Sequence, residues 1–65
     1  MTPFDIALRD FTRAARLGAP KVVLRDRYAR LLRAYDETAP SLGSDLVLAQ
    51  DQVVAAYLTT ARAQN

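Results

Sequence analysis

Three segments of the chain set apolar residues three and four positions apart, the spacing that lines one side of an α-helix. In the first, Phe4, Leu8, Phe11 and Ala15 follow at intervals of four, three and four, with Ala7 and Ala14 beside them. The second repeats those intervals with Leu24, Tyr28, Leu31 and Tyr35, flanked by Leu32. The third is broader. At about 100° per residue, Leu46, Val53 and Tyr57 fall on one line, and Val47, Val54, Leu58 and Ala61 form a second line beside it. Ala49 and Ala56 extend the other flank. The pattern predicts an all-α three-helix bundle, a single domain over 1–65, with helices at about 3–17, 20–38 and 45–63.

Residues that start and stop helices fall between these stripes. Thr2-Pro3-Phe4-Asp5 supplies a capping hydroxyl, a proline for the first helical position and an acid one turn in. Gly18 suits a left-handed C-cap, and Pro20 is expected in the first turn of the second helix. Ala39 precedes Pro40, which disfavours helical backbone, so the second helix should stop at Thr38. Pro40 to Gly43 reads as a loop, with Ser44 as the next N-cap and Asp45 in the first turn. Asp5 and Arg9 stand four apart in the favourable order for an ion pair. On the second helix, Arg27 and Arg30 are expected opposite the apolar stripe, together with Val23 and Ala34. Asp36 and Glu37 sit at the end where the helix dipole is negative.

A 65-residue chain is close to the lower limit for burying an adequate core. Small domains usually add disulfides, a metal or a partner. With no Cys and no His, disulfides are excluded and the usual zinc ligands are missing. Association with another protein is the support that remains. It changes how the wide third helix is read: either both of its apolar lines serve the internal core, or Val47, Val54, Leu58 and Ala61, with Tyr57 at their edge, face a second copy or a larger protein. Tyr28, Tyr35 and Tyr57 all lie on apolar stripes and are expected in the core with their hydroxyls at its rim.

Charge is unevenly spread. Residues 1–33 carry eight basic side chains against three acids, a net of +5, and residues 34–65 carry one against four, a net of −3. Arg9, Arg13 and Arg16 fall on one face of the first helix and Arg27 and Arg30 on one face of the second, so a merged patch able to take phosphates is one expectation. The other is an ion-paired surface in which Asp10 serves Arg13 and Asp26 serves Arg30. Base readout by a helix-turn-helix is disfavoured, because the third helix has no Arg, Lys or Asn before Arg62.

No reactive constellation accompanies these features. The commonest general base and the strongest nucleophile are absent, and the only glycines, Gly18 and Gly43, read as helix punctuation rather than a phosphate loop. The chain is therefore expected not to be an enzyme and to take no metal, cofactor or small-molecule substrate. No apolar run approaches the ~20 residues that span a bilayer, and no secretion-type segment is seen. The expected location is the cytoplasm, with no membrane partner. The leading functional expectation is a homodimeric protein-interaction module that binds and modulates or blocks a larger protein, as bacterial and phage accessory proteins of this size do. The alternatives are a small nucleic-acid-binding regulator and a structural or assembly subunit.

Overall fold

The computed structural model describes residues 1–64 and contains three α-helices, α1 (Pro3–Arg16), α2 (Lys21–Thr38) and α3 (Leu46–Arg62), with no strand among the described residues. Two short 3-10 turns, Ala39–Ser41 and Gly43–Asp45, join α2 to α3. Each expected helix is present, and its ends lie within one residue of the expected positions.

At the start of α1 the backbone N–H of Asp5 donates to Thr2 Oγ1 at 3.1 Å, and the Thr2 N–H donates to Asp5 Oδ2 at 3.2 Å. This capping box satisfies two amides that the helix itself leaves unpaired. It also turns the Asp5 carboxylate away from the expected pair with Arg9, and no such ion pair forms among the described residues. At the other end Gly18 adopts φ +72°. The Gly18 N–H donates to the Ala15 carbonyl and the Ala19 N–H to the Ala14 carbonyl, the two bonds of a Schellman motif.

Pro20 caps α2 from just outside it, its carbonyl accepting from the amides of Val23 and Leu24. The far end departs from expectation. Ala39 keeps helical angles, φ −50° and ψ −44°, despite preceding Pro40. The turn there tightens to 3-10 geometry: the Leu42 N–H reaches the Ala39 carbonyl and the Ser41 hydroxyl reaches the Thr38 carbonyl at 2.9 Å. Carbonyls orphaned by the end of α2 are thereby satisfied without leaving helical backbone. Gly43, at φ +56°, then redirects the chain. Ser44 lies inside the second 3-10 turn rather than capping α3, which begins at Leu46 after Asp45 with no side-chain cap.

The helices run up, down and up. Phe4 of α1 meets Tyr35 of α2 edge to face, with ring centroids 6.0 Å apart, and Tyr28 of α2 meets Tyr57 of α3 at the same separation. α1 and α2 form the most extensively packed pair, α3 lies mainly on α2, and the whole measures 36 × 18 × 16 Å. Phe4, Phe11, Leu24, Leu31, Ala34, Ala49 and Ala56 are buried, and Leu31 is sealed completely. Ala34 is expected on the outer side of α2 with Arg27 and Arg30; instead it is buried, on the flank where Arg27 and Arg30 line a groove with Pro3, Ile6 and Ala7 of α1 and away from the Tyr28 side that meets α3.

α3 shows the largest difference between pattern and packing. Its buried face is centred on Ala49 and Ala56, which the periodicity places on a flank, together with Thr60, and not on the Leu46, Val53 and Tyr57 line. Small side chains let helix backbones approach closely. The bulky apolar residues of α3 are left at the edge or outside.

Candidate protein interface

The bundle leaves exposed the second apolar line of α3. Val47 is 66% exposed, Val54 56% and Leu58 41%, and Ala61 is exposed as well. At about 100° per residue these four lie within an arc of about 60°, and Val47 and Val54 stand about 160° round the helix from the buried Ala49 and Ala56. They therefore point away from the body of the molecule. Their spacings of seven, four and three residues follow one seam along α3, with Gln50 and Asp51 filling the missing turn. Tyr57 borders the seam. It is more than half exposed, although one face of its ring rests against Tyr28, so the expected core position holds only in part. Tyr28 and Tyr35 are half-buried.

An aliphatic seam opposite the core cannot be accounted for by internal packing. Isolated exposed apolar residues are ordinary; a line of them along one helix face, interrupted here at Gln50 and Asp51, marks a candidate surface for another macromolecule. Asp51 and Arg62 are the only charged residues within α3, and each lies close beside the seam near one of its ends.

The five arginines do not merge. Arg9, Arg13 and Arg16 line an open groove along the outer side of α1 with Leu8 and Thr12. Arg27 and Arg30 line a separate groove between α1 and α2 with Pro3, Ile6, Ala7 and Asp10. Asp26 pairs with both Arg27 and Arg30, at 3.4 Å from Nε of the latter, so this pair is partly neutralised. The expected Asp26 to Arg30 pair is present, whereas no Asp10 to Arg13 ion pair forms among the described residues. Asp36 and Glu37 are exposed at the end of α2 and form no ion pair among the described residues. The α2 to α3 connection, Ala39–Asp45, is seven residues long, more than the three or four of a DNA-binding helix-turn-helix.

Asp5 is held below the ordinary aspartate range, first by the Thr2 amide, then by the Thr2 hydroxyl, with smaller help from the N-terminal ammonium and Arg9 against a small opposing cost of desolvation. That is a helix-cap effect and not a poised acid or base. Among the described residues no cluster of three potential metal ligands occurs, and no helix is long and apolar enough to cross a membrane.

Several exposed apolar side chains lie off the stripes that the periodicity defines, Leu17 and Val22 among them. Leu17 and Val22 flank the α1–α2 turn at 76% and 72% exposure, more than any residue of the α3 seam. Leu17 sits at the very end of α1, where a stripe can no longer be followed, and Val22 reads as an ordinary apolar residue next to Val23.

Comparison of the chain with protein-family models, with curated proteins and with solved structures gives no match in any of the three.

Proposed function

We propose that the protein is a helical interaction module that self-associates through the outer face of α3. The supporting observation is the exposed line of Val47, Val54, Leu58 and Ala61 directly opposite the core face. A second copy suits the charges that border this line. In an antiparallel pairing that sets Val54 against Leu58 of the second copy, Asp51 of each helix falls within one residue of the other's Arg62. A parallel pairing stacks Asp51 on Asp51 and Arg62 on Arg62, which is repulsive. The acid and the base are thus disposed to favour one orientation. Blocking or modulating a larger protein is the role expected of such a module once its partner is engaged.

Size-exclusion chromatography with light scattering at high micromolar concentration is expected to give a dimer. Val54→Asp and Leu58→Asp are expected to yield monomers that keep their helical circular dichroism, because both residues are exposed within one copy. Asp51→Arg alone should weaken the dimer, and adding Arg62→Asp should restore it. A wild-type monomer under these conditions removes the self-association reading.

The nucleic-acid alternative has less support. It relied on one basic face across α1 and α2, and the arginines occupy two grooves, one of them already paired with Asp26.

A further inference from the structure

We propose that the end of the bundle carrying the α1–α2 turn is a docking tip for an anionic lipid surface. From Phe11 through Arg25 the chain holds Arg13, Arg16, Lys21 and Arg25 and not a single acid. Arg62, in the last turn of α3, comes to the same end, where it lines a groove with Gly18 and Ala19. Asp26, the acid next along the chain, is occupied by Arg27 and Arg30. The opposite end collects Asp36, Glu37 and Asp45, with Asp45 sharing a groove with Asp5. The 36 Å molecule is therefore polarised along its length, basic at the tip and acidic at the base.

Leu17 and Val22 crown the basic end at 76% and 72% exposure. Charge alone would serve any polyanion. Two aliphatic side chains projecting among arginines fit a bilayer interface, which accepts apolar groups beneath a layer of negative charge. A nucleic-acid duplex offers phosphate but no comparable apolar layer for a helix turn. The lack of a spanning helix bears only on crossing a membrane, not on resting against one. Arg62 borders both surfaces, but Arg13, Arg16, Leu17, Lys21, Val22 and Arg25 belong to α1, α2 and the turn between them, so this inference stands without self-association.

The test is co-sedimentation of the full chain with phosphatidylcholine vesicles containing roughly a third phosphatidylserine, with pure phosphatidylcholine vesicles and a DNA duplex as parallel arms. The expected result is partition onto the anionic vesicles, weakening as salt rises and absent from the neutral ones. Leu17→Ser with Val22→Ser is expected to lower that partition roughly tenfold or more by removing the inserted aliphatic groups. Arg16→Glu with Arg25→Glu should do at least as much, since each basic group near such a surface is worth roughly fivefold. All four residues are exposed, so circular dichroism should be unchanged in both variants. The proposal is overturned if the anionic vesicles fail to bind at low salt, if neutral vesicles bind equally, or if the serine variant binds as well as the wild type. Duplex binding that ignores the serine substitutions, with vesicle binding absent, reassigns the tip to nucleic acid.

Discussion

Helical threonines in this protein mostly return their hydroxyls to the carbonyl one turn earlier. Thr12 bonds to Leu8, Thr59 to Ala55 and Thr60 to Ala56, all between 2.8 and 2.9 Å. Thr38 does not. It is 5% exposed, and its Oγ1 has no hydrogen-bond partner among the described residues, while its own carbonyl accepts from Ser41. A buried hydroxyl without a partner costs about 1–3 kcal/mol. Valine keeps the branched shape and removes the polar atom. Thr38→Val is therefore expected to stabilise the fold by about 1 kcal/mol, read as a higher denaturant midpoint at unchanged slope. A lower midpoint would mean that the hydroxyl is bonded in solution. Thr60→Val serves as the contrast: it is equally well buried but bonded, so the same change should give no gain.

Helix ends depend on groups only a few residues apart, which is why they were legible in the sequence. Thr2 and Asp5 form the cap that their spacing announces, and Gly18 takes the left-handed conformation that its position requires. The cap carries a pH dependence of definite sign. The folded Asp5 carboxyl titrates below its ordinary range, so its contribution is fully present above that range and is lost as pH falls through the lowered value. Thr2→Ala is expected to cost about 1 kcal/mol at neutral pH and to flatten the acid limb of the stability curve, measured by thermal melts across an acid series. An acid limb of unchanged steepness would show that other carboxylates set it. The loop before α3 is less legible, because at Ala39 and Ser44 the sequence carries local preference alone. Pairing across the 3-10 turns overrides the bias at Ala39 and makes a Ser44 cap unnecessary. The core face of α3 was misread for a different reason. Hydropathy weights large side chains, whereas the side a helix buries is decided by which surface allows close approach. Ala49 and Ala56 carry little hydrophobic weight, yet they are the residues of α3 in the buried cluster with Phe4, Phe11, Leu24 and Leu31. The apolar seam itself was legible as an excess, since four residues with no room in the core remain visible in the periodicity. The tip residues Leu17 and Val22 were not, because their significance comes from the fold bringing a turn and the end of α3 together.

At the scale of the whole molecule, the core is small and pivots on Leu31, the one completely enclosed large side chain among the described residues. Removing such a side chain to alanine costs about 2–5 kcal/mol, and a core of this length supplies only about 3–5 kcal/mol in all. Leu31→Ala should therefore leave the isolated chain largely unfolded at micromolar concentration. If two copies share the outer face of α3, association is linked to folding, and concentration shifts the balance by mass action. Raising the concentration of Leu31→Ala should then recover helical circular dichroism, and the wild-type melting midpoint should climb with concentration as well. Adding Val54→Asp to Leu31→Ala separates the two contributions: it removes the seam but touches nothing in the core, so concentration should no longer rescue the fold. Rescue that persists in the double variant would place the stabilising contact elsewhere on the surface. A wild-type midpoint independent of concentration would mean that these three helices hold together on their internal packing alone, with Ala49, Ala56 and Leu31 sufficient to anchor α3.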